Sequence, residues 1–416
     1  LQEKLSSSRH PRDLYIKDFS YVLPEDRIAQ FPLPGRDFSK LLIYRNSSIK
    51  EDTYHHIADH LPENALLVFN NTRVVAARIL FQKPTGGVIE IFALEPHEQY
   101  ADVTTAMQTK TQVWWKCLIG GAGKWKYGQV LQKQVSDNGV TISLQARIAE
   151  RSAGSFTIAF FWEPASLTFS EILHYFGIIP IPPYLKRDTE KDDHERYQTI
   201  YAAAHGSVAA PTAGLHFTEN IFLSLQKKNI ESHFITLHVG AGTFMPVKSE
   251  TVNDHQMHPE YLEVQARFIR RLIDHPDDIF AVGTTSLRTL ESLYWMGLKC
   301  YLDPAISKDQ LEMKQWEIYD ELQQKDIPVK TALTALLGWM ATNKTEVLVI
   351  RTSILIAPPY LPKIVRGLVT NFHQPNSTLL LLVAALIGDN WTKVYDYALE
   401  HQFRFLSYGD GCLLYL

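Results

Sequence analysis

The hydrophobic period of this chain changes twice, and a fold of one secondary-structure class cannot accommodate both changes. Residues 41–75 mix two signals. LLIYR (41–45) and ALLVF (65–69) are short apolar strands, whereas DTYHHIADHL (52–61) predicts a helix capped by Asp52 or Thr53. From Val74 to about Trp162 the pattern is almost entirely strand: GGVIEIFAL (86–94), VWWKCLI (113–119), VTISLQARI (140–148) and SFTIAFFW (155–162). Asp137-Asn138-Gly139 is a strong hairpin signal, and strands this short and closely spaced predict a small antiparallel barrel or sandwich.

Helices return after Pro164. Thr168-Phe-Ser-Glu171 reads as a capping box, Gly177 as its helix stop, and Thr218 as the cap of a helix reaching about Lys228. The proline-rich IPIPPYL (179–185) excludes regular helix, and IESHFITLHV (230–239) is a strand. IFAVGTTSLRTLESL (279–293) and GLVTNFHQPNSTLLLLVAAL (367–386) both read as buried strand, polar loop, helix, the α/β pattern whose strand ends form ligand crevices. The expected fold class is therefore α/β: a mixed-sheet α/β domain (1–73 and 165–416) with a small antiparallel β-barrel inserted at 74–164. Residues 300–345 are polar and weakly patterned, and read as a further insertion.

Composition narrows the functional classes. The 416 residues carry 41 Lys plus Arg against 45 Asp plus Glu, a formal charge of −4, which excludes coating nucleic acid by bulk charge. Cys117, Cys300 and Cys412 form no CxxC, so a reducing, cytoplasmic setting is expected. The longest apolar run, Leu379–Ile387, is too short for the roughly 20 residues that span a bilayer, and LQEKLSSSRH has no apolar core of a secretory signal. No GxGxxG follows a strand, and GxxxxGK[ST] and GxSxG are absent, which removes support for ordinary dinucleotide binding, P-loop hydrolysis and the α/β-hydrolase mechanism.

Four polar loops follow buried strands: APTAGLHFT (210–218), TLHVGAGTF (236–244), VGTTSLRTLES (282–292) and TNFHQPNST (370–378). Small residues such as Gly214, Gly240 and Gly242 let a ligand approach the backbone, and hydroxyls and free N–H groups at a helix start, as at Thr212, Thr284 and Ser377, hold a carboxylate or phosphate. Turn and cap chemistry explains any one such loop; four in one chain point to a shared ligand site. His216, His238 and His373 lie within them as candidate acid–base groups. His56/His60 and His255/His258 have the spacing of two-ligand pairs but no HExxH context, and no metal site is expected. No acidic residue lies between Asp102 and Asp137, where Lys110, Lys116, Lys124, Lys126 and Lys133 are interleaved with Trp114, Trp115, Trp125 and Tyr127. That mixture suits a phosphate backbone with stacking bases, or equally a solvated barrel face with core tryptophans.

At these loops the chain resembles the S-adenosylmethionine:tRNA ribosyltransferase-isomerase family of queuosine synthesis. The resemblance runs from about Asp18 to the C-terminus outside 300–345. It is carried by LPEDRIAQFPLPGRDFSKLL (23–42), NNTRVVAARI (70–79), GIIPIPPYL (177–185), RYQTIYA (196–202), GSVAAPTAGLHFT (206–218), LHVGAGTFMPV (237–247), MHPEYLEV (257–264), VGTTSLRTLES (282–292), LVTNFHQPNSTLLLLVAALIG (368–388) and RFLSYGDG (404–411). It implies an α/β domain with an inserted β-barrel. The implied reaction transfers and isomerises the ribosyl part of S-adenosylmethionine onto 7-aminomethyl-7-deazaguanine in tRNA, giving epoxyqueuosine, adenine and methionine.

Such chemistry needs a base beside the sulfonium, an acid for departing adenine, a neutral amine nucleophile and a preorganised cradle. S-adenosylmethionine is then a co-substrate, with no prosthetic group or metal, and tRNA is the partner; a monomer is expected. On this resemblance His216, His238 and His373 are the catalytic candidates. Arg288 with Thr284 and Thr285 would hold the methionine carboxylate, and Glu291 a ribose hydroxyl or the ammonium. Thr212, Gly214, Gly240, Gly242, Asn371 and Ser377 would complete the substrate site. Lys116, Lys124, Lys126, Arg73 and Arg78 are the candidate tRNA contacts. Two departures mark a divergent branch: Asn71 where the family usually has Asp, and Pro359 in Ala357-Pro358-Pro359-Tyr360 where it usually has Gly. A paralogue acting on another acceptor, and a non-catalytic RNA-binding protein on this scaffold, are the alternatives.

Overall fold

The computed structural model describes residues 10–83, 85–152, 155–240, 249–275, 277–323 and 325–416. Its larger sheet has nine strands, in the order Val347–Thr352, Glu260–Gln265, Glu231–His238, Leu66–Asn70, Ile279–Val282, Gly367–Asn371, Gly411–Tyr415, Lys40–Arg45 and Ser48–Thr53. The four strands from Glu231–His238 to Gly367–Asn371 run parallel, and the remaining pairings on either side are antiparallel except that of Gly411–Tyr415 with Lys40–Arg45. Every residue of Leu66–Asn70, Ile279–Val282 and Gly367–Asn371 is buried, which is why their sequences run apolar instead of alternating.

Alternate side chains of Leu66–Asn70 enter opposite layers. Leu66 and Val68 pack with the helix Thr284–Leu302, and Leu67 and Phe69 pack with Tyr54, Ile57, Phe217 and Ile221. The helix Val329–Thr342 crosses Thr284–Leu302 so closely that a Cβ on Gly297 would sit 2.3 Å from Ala332 O; only glycine fits there. Residues 300–345 are thus packed into the protein, contributing Leu311, Ile318, Leu333, Leu336 and Trp339 to the largest core cluster. The pattern is weakest where the four-residue helices Lys308–Leu311 and Glu317–Asp320 bury only one or two residues each between polar stretches.

The second sheet has seven antiparallel strands, in the order Gly177–Ile178, Arg78–Gln82, Val88–Pro96, Gln112–Gly120, Ser155–Glu163, Val140–Ser152 and Leu131–Asp137. It curls into a half-barrel around Phe81, Trp115, Trp125 and Phe160. Asn138 and Gly139 have φ of 49° and 80°, the left-handed pair of a type I′ hairpin. The capping box at Thr168 and Glu171 forms, and the helix Phe169–Phe176 ends at Gly177. Two local features differ from expectation. Asp52 and Thr53 close the strand Ser48–Thr53, and only Tyr54–His60 is helical, as a 3-10 helix. A five-residue helix, Val103–Met107, capped by Asp102, lies where only strand was expected. Among the described residues no helix is long and apolar enough to cross a membrane.

Candidate functional site

The carboxyl ends of four adjacent parallel strands lie side by side. They end at His238, Asn70, Val282 and Asn371, in that spatial order. Loops leaving the same edge of an α/β sheet enclose a crevice. The fourth loop joins them through the 3-10 helix Thr212–His216: a Cβ on Gly283 would be 3.8 Å from Ala213 Cβ, and Asn371 Nδ2 donates to His216 Nε2 at 3.2 Å. The segments predicted as loops at 210–218, 282–292 and 370–378, and 236–240 of the loop predicted at 236–244, therefore meet at one edge, with 284–292 forming the start of a helix. Gly242 lies outside the described residues.

The three histidines differ in environment. His216 is stacked on Tyr54 with ring centroids 4.1 Å apart. Its Nδ1 faces Arg36 O, which can only accept, so the proton sits on Nδ1 and Nε2 accepts from Asn371. Burial pushes its pKa down to about 3, so the ring is neutral and both nitrogens are engaged. His373 Nε2 lies 3.0 Å from Thr370 Oγ1, and burial lowers its pKa to about 4. Among the described residues His238 alone of the three faces a carboxylate: its Nε2 is 3.1 Å from Glu263 Oε1, and its buried Nδ1 has no partner among them.

The helix Thr284–Leu302 brings an anion-friendly end to the same edge. Its first turn leaves backbone N–H groups free, and its dipole favours negative charge. Thr285 Oγ1 and Arg288 Nη2 are buried polar atoms without partners among the described residues, one helical turn apart. Arg288 is otherwise tied down: Nη1 pairs with Glu260 and Nε donates to Ile354 O at 3.2 Å. One forked donor is thus held rigidly with its Nη2 amino group unused, an unsatisfied state that a carboxylate would relieve. Thr284, also buried, opens the helix.

Other expected ligand contacts have structural partners instead. Glu291 is fully buried; its oxygens accept from Tyr360 OH and the backbone N–H groups of Lys363, Ile364 and Val365, which fills its acceptor sites. It anchors the segment 360–365. Ser377 Oγ caps the helix Thr378–Ile387 and donates to Gln374 O. A Cβ on Gly214 would meet Tyr201 OH at 1.9 Å, so that glycine admits a tyrosine, not a ligand. Asn371 Oδ1 remains buried and unpartnered. Thr212 is half-buried on the 3-10 helix, and Gly240 follows His238 and Val239 at the strand end.

The basic candidates separate in the same way. Lys116 pairs with Glu95 and Glu98 at 3.1 and 3.4 Å, and Arg78 with Glu90 at 2.6 Å. Lys124, Lys126 and Arg73 are exposed, and Arg73 lines an open cleft of about 520 Å³ with Arg36, Lys191 and His194. Trp115 and Trp125 are core residues, leaving Tyr127 the exposed ring of that stretch. His56 and His60 share Asp52, each at 2.7 Å, and among the described residues no group of three or more His, Cys, Asp or Glu is placed to hold a metal. Reading residues singly missed Glu263, Glu260 and Thr104. Only the register of neighbouring strands and the docking of the half-barrel bring them to the loops.

A family model described as queuosine biosynthesis protein matches residues 16–414. An S-adenosylmethionine:tRNA ribosyltransferase-isomerase from Rickettsia bellii is 36% identical over 405 residues, covering 96% of this chain and 99% of the relative. One from Aquifex aeolicus is 34% identical over 409 residues, with the same coverage of each. A solved chain from Thermotoga maritima, described as S-adenosylmethionine tRNA ribosyltransferase, is 26% identical, with 95% of this chain and 99% of that one covered and a TM-score of 0.44. With the predicted loops gathered at one sheet edge and the match running nearly end to end, this chain belongs to the S-adenosylmethionine:tRNA ribosyltransferase-isomerase family of queuosine biosynthesis.

Proposed function

We propose that this enzyme binds S-adenosylmethionine at the carboxyl edge of its parallel strands and transfers and isomerises the ribosyl moiety onto 7-aminomethyl-7-deazaguanine in tRNA, yielding epoxyqueuosine, adenine and methionine. The observation that carries the substrate pose is the pair of unsatisfied buried groups, Thr285 Oγ1 and Arg288 Nη2, at the start of a 19-residue helix. A methionine carboxylate satisfies both. The helix dipole adds to the attraction.

With the carboxylate held there, the sulfonium and ribose extend toward the neighbouring strand ends, where His238 offers a ring nitrogen that is not already bonded. In this reading His238 Nδ1 accepts the proton from the carbon beside the sulfonium. The C–H electron pair stays on carbon, stabilised by the adjacent positive sulfur. His216 and His373, neutral and hydrogen-bonded, shape the cradle and orient the ring system. The tRNA approaches along the exposed cations Arg73, Lys124 and Lys126, whose charges no carboxylate partner offsets among the described residues. A tRNA substrate goes with a cytoplasmic location.

Adenine release is the test. With S-adenosylmethionine and tRNA carrying the aminomethyl base, adenine should appear in step with loss of free amine. The bare base should support a much slower release. Equal release with bare base and with tRNA would favour a different acceptor, and no release under any condition would reject the enzymatic reading.

A further inference from the structure

We infer that Glu263 is a positioning residue that presents His238 to the substrate as a base with its free nitrogen on Nδ1, and that Thr104 of the half-barrel holds Glu263 in place. The inference rests on the proposed reaction for its catalytic consequence, and on geometry alone for the tautomer.

Strand register creates the pair. His238 lies opposite Tyr261 and Thr236 opposite Glu263, so all four side chains share one face and His238 meets Glu263 on the diagonal. Glu263 Oε1 accepts from His238 Nε2 at 3.1 Å and from Thr104 Oγ1 at 3.1 Å. The imidazole and the hydroxyl hold the carboxyl below its ordinary range, so it is ionised and can only accept. The imidazole proton therefore sits on Nε2, and Nδ1 keeps a lone pair with no competing partner. Neither His216 nor His373 has a carboxylate behind it.

Two further features leave the Nδ1 lone pair unpaired. The His238 side chain is 2% exposed, so bulk water does not compete for the lone pair. Gly206 lies against it with φ of +138°, and a Cβ there would be 2.9 Å from Nδ1. Among the described residues, titratable or charged groups on elements packed around the pair include Tyr261 and Arg351 on the adjoining strands, Asp102 at the start of the Val103–Met107 helix, His205 on Ala204–Ser207 and Arg73 on Thr72–Val74. The Glu263 carboxyl itself is held down by the His238 hydrogen bond and charge and by Thr104, against the opposing effect of its burial.

The test combines kinetics with ring-nitrogen NMR on the full chain. Glu263→Gln keeps the shape but removes the charge that stabilises the imidazolium. Its kcat should fall at least about tenfold, with KM for S-adenosylmethionine within about twofold of wild type. The acid limb of its kcat/KM profile should move to lower pH, because a neutral amide no longer stabilises positive charge on its partner. Thr104→Val leaves a more basic carboxylate and should move that limb upward. In a His238→Ala background, Glu263→Gln should cost nothing further.

Nitrogen-15 spectra of wild type should show His238 as a single Nε2–H tautomer, mixed in Glu263→Gln. A fall in kcat with an unmoved limb and unmoved tautomer, or additive losses in the double variant, would overturn the inference. If wild type releases no adenine, the proposed function fails, and the tautomer measurement still judges the positioning claim by itself.

Discussion

Asn371 donates to His216 across 3.2 Å, joining the end of one buried strand to a 3-10 helix 155 positions earlier in the chain. The contact fixes the neutral Nδ1–H tautomer of His216, since Arg36 O on the other side has no proton to give. It also ties two of the segments at the sheet edge, 210–218 and 370–378, directly to one another.

Stability should fall with acid earlier than carboxylate titration explains. His216 and His373 have folded pKa values of about 3 and about 4 against an ordinary 6.5, both lowered chiefly by burial. Unfolding lets them take up protons, so their contribution is complete above pH 6.5 and is lost as pH falls toward the folded values. The slope is about 1.4 kcal/mol per pH unit for each histidine. Asp52 and Glu231, held at about 2, lose their contribution only below the ordinary carboxylate range. Denaturant unfolding between pH 7 and 4.5 should show the early decline, and His216→Asn should reduce its slope by one histidine. A flat profile down to pH 5 would contradict the buried neutral assignment.

Glu291→Gln should damage the fold without damaging substrate affinity. A glutamine amide would oppose backbone N–H groups that the carboxylate now accepts, leaving buried donors unmatched at a cost of about 2–4 kcal/mol. Urea midpoints should drop accordingly, while KM for S-adenosylmethionine in the folded enzyme stays within about twofold. A large KM rise with normal stability would return Glu291 to the substrate site.

Arg288→Lys and Thr285→Val should raise KM for S-adenosylmethionine by different factors. Lysine keeps a charge facing Glu260 but loses the second guanidinium N–H group, about 1.5–3 kcal/mol for a charge-assisted bond, or roughly 10- to 150-fold. The valine loses one hydroxyl bond in which only the acceptor is charged, about 1.5 kcal/mol, roughly tenfold. Steady-state kinetics with saturating tRNA measures both. Unchanged KM in both variants would remove the carboxylate from this helix start.

Arg73 and Lys116 should behave differently toward tRNA. Arg73→Ala, at an exposed charge beside the cleft, should weaken tRNA binding and lower the salt slope of log K by about 1. Lys116 is already compensated by Glu95 and Glu98, so Lys116→Ala should change affinity less than about twofold. Binding titrations across a salt series measure both. Equal effects would mean that the half-barrel, not the cleft, carries the backbone contacts.

What could be read from sequence followed how local its cause was. The Asp137-Asn138-Gly139 hairpin, the Thr168 capping box and the Thr218 cap depend on a few neighbouring residues, and all three form. The two strand–loop–helix units were legible because central parallel strands are apolar throughout. Glu291 was misleading because the loop pattern carried no sign that its third helical turn is sealed under residues 360–365. Glu263 was invisible as a partner of His238 because their meeting depends on strand register, and Thr104 because it depends on docking of the half-barrel.

The most direct measurement is mass spectrometry of tRNA nucleosides after incubation with S-adenosylmethionine isotopically labelled in its ribose. The tRNA should start with the aminomethyl base and end with a labelled five-carbon addition, with one adenine and one methionine released for each modified tRNA. Label that never reaches the RNA, or an unlabelled methyl group arriving in its place, would contradict the account.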